Sequence, residues 1–167
     1  MHDTVFLGRI AVRPPLNEAE RDYLTRLADS NSTLRGTPTG RGDDNVPFAH
    51  LAWEPCAAGC CLTWSGRERT KNMQPSLRFL VDHLLKTGAR ADGHKRFGDF
   101  TCDHVLDGTV VVRRHDDERA YVAEVIANRV GGRSVESACE RAAEAPSPRS
   151  RPRPRPANVI DFRPRRA

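Results

Sequence analysis

PSLRFLVDHLLKTG, at residues 75–88, has the strongest helical periodicity in the chain. From Leu77 onward its apolar residues recur at i, i+3, i+4, i+7 and i+8, which lines one face of an amphipathic helix. Pro75 suits the first helical position, and Gly88 suits the residue after the last turn. The segment therefore predicts a helix that buries one face against a second layer of structure.

The second layer is predicted to be a sheet. Apolar alternation and β-branched runs predict strands at 4–13, 48–54, 61–65, 109–114 and 120–126. Asn17 followed by Glu20 has the spacing of a capping box and predicts another helix over 18–29. The order β-α-β-β-α-β-β predicts an α+β two-layer sandwich with an antiparallel sheet in a ferredoxin-like arrangement. Both helices then cover one sheet face, and the other face is left to solvent or a partner.

The charge separates a domain from a tail. The net charge is +5, yet residues 146–167 hold seven arginines and one aspartate, so the rest of the chain is close to neutral. We expect an α+β domain at 4–130 and a short helix or linker at 131–145, in which Ser134 caps the helix. A disordered Arg/Pro-rich tail follows at 146–167. Arginines in such a tail bind phosphates non-specifically. The candidate nucleic-acid contacts are Arg149, Arg151, Arg153, Arg155, Arg163, Arg165 and Arg166.

Membrane and secretory classes do not fit the sequence. No stretch approaches the ~20 apolar residues of a membrane span. The first residues lack the basic and apolar regions of a signal peptide. We therefore expect a cytoplasmic protein with no membrane partner, in which the five cysteines stay reduced.

One cysteine-rich turn is a candidate metal site. His50, Cys56, Cys60 and Cys61 lie close together in the sequence, and zinc accepts sulfur and nitrogen ligands. The C-x3-C-C spacing differs from the usual C-x2-C knuckle. Inert buried cysteines, or a disulfide from Cys56 to one of its neighbours, are therefore the alternatives.

The catalytic patterns considered do not form a convincing set. Cys102 and His104 share a face if their segment is a strand, but no glycine-rich elbow or helix start supplies an oxyanion hole. His83 is predicted to be a satisfied histidine on its helix. No phosphate loop or dinucleotide fingerprint is present. The sequence therefore predicts neither an enzyme nor a cofactor.

Two sets of apolar residues are candidates for partner binding. Trp53 and Trp64 flank the predicted hairpin, where they either pack in the core or act as anchors on the open sheet face. Within the basic tail, Val159, Ile160 and Phe162 form a short apolar motif that can fold on binding.

Several spaced motifs over residues 6–130 resemble a family of small actinobacterial and phage proteins with no known activity. They are FLGRIAVRPPLNEAERDYL (6–24), HLAWEPCAAGCCLTW (50–64), SLRFLVDHLL (76–85), DHVLDGTVVV (103–112) and ANRV (127–130). The resemblance implies a shared fold unit. The basic stretch after Trp64 departs from the family's acidic, aromatic pattern.

These features favour a non-enzymatic module that binds another protein through an exposed sheet face or edge. A nucleic-acid accessory protein using its arginine tail is the first alternative. A small metal-binding protein or enzyme at the Cys56–Cys61 turn is the second.

Overall fold

The computed structural model describes residues 4–114 and 119–134. Its centre is one antiparallel sheet of six strands in the order β2-β3-β1-β4-β5-β6. The strands are β1 (Thr4–Arg13), β2 (Trp53–Pro55), β3 (Cys61–Trp64), β4 (Val105–Arg114), β5 (Ala120–Ile126) and β6 (Arg129–Ser134). The α+β class predicted from the sequence is confirmed.

The pair β1 and β4 forms the middle of the sheet, and all ten residues of each strand are in register. Glycine is required where these strands meet. Gly8 has a φ of +97°, and a Cβ there would lie 2.1 Å from the carbonyl oxygen of Thr109. Gly108, at φ +149°, lies opposite Ile10 within β4. β4 therefore begins at Val105, four residues before the strand start predicted at 109, and it includes Asp107 and Gly108.

The helical layer covers one face of the sheet. Helix α1 (Glu18–Asp29) begins with the predicted capping box, since the Asn17 side chain accepts from the backbone of Glu20 and the Glu20 carboxylate accepts from the backbone of Asn17. Helix α2 (Met73–Phe79) continues into a π-helical segment, Leu80–Leu85. Single-turn 3-10 helices occur at Leu34–Gly36, Thr70–Asn72 and Lys95–Phe97.

The core lies between these layers. Ile10, Leu62 and Leu106 of the sheet and Leu24 and Leu80 of the helical layer are all completely buried. In β1, β4 and β5 the buried residues alternate with accessible ones, so the sheet has one covered and one open face.

The C-terminal part of the sheet differs from the prediction. A two-residue turn with positive φ at Ala127 and Asn128 joins β5 to β6, and β6 carries the sheet past the expected boundary at residue 130 to Ser134. Ser134 thus ends a strand, and the remainder of the helix expected at 134–145 lies outside the described residues. The strand expected at 48–54 is limited to Trp53–Pro55. In the two described ranges, no helix has the length and apolarity needed to cross a bilayer.

Candidate functional site

Within the described residues, one face of the sheet has no helical layer over it, and we call it the open face. We define it as the odd-numbered positions of β1, β4 and β6 and the even-numbered positions of β5, which the strand register places on one side. Leu7, Val111 and Val122 are directly opposite one another and form an apolar row across three strands. Leu7 is 63% exposed and Ile126 is 61% exposed. Exposed aliphatic side chains grouped in this way are typical of an interaction surface.

Arginines share this face with the apolar row. Arg9, Arg13, Arg113, Arg129 and Arg133 occupy open-face positions and are exposed. None of the five forms an ion pair with another residue in the two described ranges. The acidic residues on the same positions are Asp107 and Glu124, and Asp107 already accepts a hydrogen bond from the backbone of Ala127. The open face is therefore basic although the domain is nearly neutral in total.

Three cysteines converge at the turn between β2 and β3. The sulfur atoms of Cys56, Cys60 and Cys61 all lie within 4.8 Å of one another, and the Cys56 and Cys60 sulfurs are 3.5 Å apart. His50 is not part of this cluster. Its backbone N–H donates to the Glu68 carboxylate, and its Nδ1 lies 3.2 Å from the carbonyl oxygen of Ser32. The structure thus unites the three cysteine candidates and leaves out the histidine.

Contacts from β1, from the β1–α1 connection and from α1 hold this turn. The Cys60 and Gly59 carbonyls accept from the N–H groups of Val12 and Leu16, each at 2.9 Å. The Arg21 guanidinium donates to the carbonyl of Ala57. Gly59 has a φ of +72°, and a Cβ there would lie 2.5 Å from the carbonyl oxygen of Leu16, so only glycine fits. The position of the thiols is therefore fixed by the fold as well as by the local turn.

The three thiols differ in their protonation. Burial raises the pKa of Cys56, but hydrogen bonds from the Cys61 and Cys60 thiols and from their backbone N–H groups outweigh it and lower the pKa to about 6. Burial and the neighbouring Cys56 sulfur raise the pKa of Cys61 to about 11. At neutral pH, Cys56 is thus a thiolate stabilised by its neighbours.

Cys102 and His104 do not form a nucleophilic pair. The Cys102 thiol is buried, donates to the carbonyl of Leu84 at 3.5 Å, and has its pKa raised by burial. His104 instead contacts Glu20 and the carbonyl oxygen of Pro14. The two side chains therefore have separate hydrogen-bond partners and none in common.

Glu20 and His104 form a buried ion pair. His104 Nε2 lies 3.0 Å from a Glu20 carboxylate oxygen, and its Nδ1 lies 2.7 Å from the Pro14 carbonyl oxygen. Because both ring nitrogens face acceptors, the imidazole is a cation that donates twice. The Glu20 carboxylate also accepts from the backbone N–H groups of Asn17 and Thr101. Glu20 therefore caps a helix and neutralises a histidine at the same time.

This pair predicts a pH window for stability. Burial raises the pKa of Glu20, but its hydrogen bonds from His104, Asn17 and Thr101 lower it below the ordinary value of 4.5. Burial lowers the pKa of His104, but its bonds to Glu20 and Pro14 raise it above the ordinary value of 6.5. The Glu20 carboxylate contributes fully to the free energy of unfolding above pH 4.5, and this contribution is lost as the pH falls through the folded pKa of Glu20. The His104 imidazolium contributes fully below pH 6.5, and its contribution is lost as the pH rises through the folded pKa of His104.

We therefore expect the unfolding free energies of the wild-type chain and the Glu20→Gln variant to differ most between pH 4.5 and 6.5. Urea titrations at a series of pH values measure this difference. A difference that stayed constant from about pH 4 to about pH 8 would contradict the charged pair.

A polar pocket of about 460 Å³ lies beside the π-helical segment. His83, 5% exposed, places Nε2 3.3 Å from an Asp43 carboxylate oxygen, which also accepts from Arg90 at 2.8 Å. Burial and the charge of Arg90 lower the pKa of His83, so the imidazole is neutral. These contacts attach the loop containing Asp43 to the helix. The expectation of a satisfied histidine holds only for Nε2, because the buried Nδ1 of His83 has no hydrogen-bond partner among the described residues.

The tryptophans are in the core. Trp53 is 0% and Trp64 is 4% exposed, and their rings pack edge to face at 5.1 Å. The Trp53 indole N–H donates to the Met73 carbonyl and to Ser76. The interpretation of Trp53 and Trp64 as surface anchors is therefore wrong, because both side chains point into the helix-covered layer. The tail residues Val159, Ile160 and Phe162 and the seven tail arginines lie outside the described residues.

Comparison with known proteins adds no relative. No family model, no curated protein and no solved structure matches the chain.

Proposed function

We propose that this protein is a non-enzymatic docking module that binds an acidic protein segment on the open face of its sheet. The observation that carries this proposal is the apolar row of Leu7, Val111 and Val122 on a face that also holds five arginines without an ion pair to any residue of 4–114 or 119–134. Aliphatic side chains favour burial against a partner. Exposed arginines steer and select a partner with acidic side chains.

A protein partner fits this surface better than nucleic acid does. Recognition of bases on a sheet usually employs exposed aromatic side chains on which the bases stack. Among the described open-face positions no aromatic residue occurs, since Phe6 and Tyr121 belong to the other face by register. The arginines alone support non-specific contact with phosphates. Nucleic acid is therefore the alternative that the experiment must separate.

We propose that the α+β fold is a ferredoxin-like arrangement, to which β5 and β6 add two further strands. The strand order β2-β3-β1-β4, with one helix after β1 and one after β3, supports this proposal. In such an arrangement the open face is the natural place for a partner.

Site-specific photo-cross-linking in the native host tests the docking proposal. A photoreactive phenylalanine at Leu7 or Ile126 should yield a discrete protein adduct, because both side chains project from the open face. The same residue at Thr25, an exposed position on α1, is the matched control and should yield none. Adducts destroyed by nuclease, or no adducts from the open face, would overturn the proposal.

The variant Leu7→Asp gives a quantitative prediction. It should change the unfolding free energy by no more than about 0.5 kcal/mol, because Leu7 is 63% exposed. With the photoreactive residue at Ile126, the Leu7→Asp substitution should nevertheless reduce the yield of adduct strongly, since a carboxylate replaces one of the three side chains of the apolar row. An unchanged adduct yield would place the partner elsewhere.

A further inference from the structure

We propose that the turn between β2 and β3 binds one thiophilic metal ion, Zn²⁺ or Cu⁺, through the sulfur atoms of Cys56, Cys60 and Cys61. The site rests on side chains that the docking proposal does not use, although Cys61 is paired with Ala11 and so lies on the same side of the sheet as the open face. Thiolate ligands select these soft or borderline ions over Mg²⁺ and Ca²⁺.

The distances suit a single ion. In tetrahedral zinc sites the metal–sulfur bond is about 2.3 Å, which separates neighbouring sulfurs by about 3.8 Å. Cys56 and Cys60 are already 3.5 Å apart, and all three sulfurs lie within 4.8 Å of one another. Small side-chain rotations around a common centre are therefore sufficient, without movement of the backbone.

The turn is prepared before the ion arrives. Its carbonyls at Ala57, Gly59 and Cys60 accept from donors on α1, on the β1–α1 connection and on β1, and the backbone at Gly59 admits no other residue. A site held on both sides by the fold loses little conformational freedom on binding. Cys60 is exposed and Cys56 is half-buried, so the ion reaches the sulfurs from solvent.

Metal binding by this cluster requires deprotonated cysteines, since the thiolate is the form that ligates a metal ion. In the binding step the metal–sulfur bonds replace S–H bonds, and the protons, that of Cys61 among them, pass to the buffer. No oxidant or reductant takes part.

The number of sulfurs favours a metal over a disulfide. A disulfide would join two of the three sulfurs and leave the third unused beside it. An ion uses all three, and in the described ranges no histidine or carboxylate belongs to the same cluster. A zinc ion would therefore keep one position for water or an exogenous ligand, as open zinc sites do. Three thiolates alone match the preference of Cu⁺ for soft ligands.

The test is anaerobic titration of the reduced full-length chain with Zn²⁺ and, separately, with Cu⁺, each against a chromophoric chelator. We expect one equivalent of one of these ions per chain, with protons released on binding. Cys56→Ser and Cys60→Ser should each weaken binding more than about 100-fold, since losing an outer-shell group alone costs 10–100-fold. Co²⁺ in place of Zn²⁺ should give thiolate charge-transfer absorption if the zinc arm is the correct one.

Two kinds of variant keep this test decisive. Cys102→Ala removes a buried thiol that lies outside the cluster, so binding should not change. Gly59→Ala keeps every thiol but strains the turn, because of its positive φ and the nearby Leu16 carbonyl, so binding should weaken. Circular dichroism identifies any variant that fails to fold. Absence of one-equivalent binding for both ions, or binding insensitive to Cys56 and Cys60, would overturn the proposal.

Discussion

Replacement of Glu20 by alanine is expected to destabilise the domain by about 3–5 kcal/mol, the usual cost of removing one partner from a buried ion pair. Glu20 is 0% exposed and His104 is 1% exposed, so water cannot replace the missing carboxylate. The substitution leaves a buried imidazolium without its counter-charge and leaves the Thr101 backbone N–H without its acceptor. It also removes one half of the capping box of α1.

Urea denaturation followed by circular dichroism measures this loss. Glu18→Ala is the matched control, because Glu18 lies in the same helical turn but is exposed, and its effect should stay within about 0.5 kcal/mol. The double variant Glu20→Ala with His104→Leu should lose less than the sum of the single losses, because no charge remains buried. Equal effects of Glu20→Ala and Glu18→Ala would contradict the buried pair.

Replacement of Trp53 by alanine has the second large expected effect, a loss of about 3–5 kcal/mol in unfolding free energy. The Trp53 ring is completely buried against Trp64, and its N–H satisfies the Met73 carbonyl and Ser76. Truncation therefore leaves a large cavity and two polar groups with fewer partners.

Phe48→Ala is the control for this loss. Phe48 is also aromatic but 79% exposed, so its truncation should change stability by no more than about 0.5 kcal/mol. Thermal and urea unfolding give both values. If Trp53→Ala were as stable as Phe48→Ala, the tryptophan would be a surface residue, as one of the two sequence interpretations held.

Local patterns predicted the local structure well. The Asn17–Glu20 spacing predicted the start of α1, and the apolar repeat from Leu77 predicted the helix after β3. Both depend on contacts between residues three or four positions apart, which a sequence displays directly. The π-helical geometry of Leu80–Leu85 was not predicted, because its residues have the same apolar spacing as an α-helix.

Strand β6 was not predicted, because it depends on contacts between segments that are far apart in the sequence. β6 contains Gly131 and Gly132, which weaken any strand signal, and it exists because Asn128 allows the left-handed turn that returns the chain to β5. Asn128 also bonds to Leu106 and His104 of a distant segment. No local pattern reveals such a contact.

In the candidate sites, too, the sequence predicted the local turn and strands but not the contacts between distant segments. The spacing of Cys56, Cys60 and Cys61 indicated a turn, but the approach of the three sulfurs depends on contacts from Val12, Leu16 and Arg21. Alternation in the strands likewise indicated two faces without telling which one the helices cover. For this reason the sequence did not decide whether Trp53 lies in the core or on the open face. The arginines of the open face could be assigned to one side of the sheet only from the strand register.

The central claim is that the open face is free to bind a partner in the full-length chain. Methyl NMR with a freely diffusing paramagnetic compound tests it most directly. The methyl signals of Leu7 and Ile126 should be strongly attenuated, whereas those of the buried Leu24 and Leu80 should be retained. Retention of the Leu7 and Ile126 signals to the same degree as the core signals would show that the face is already covered and would contradict the account.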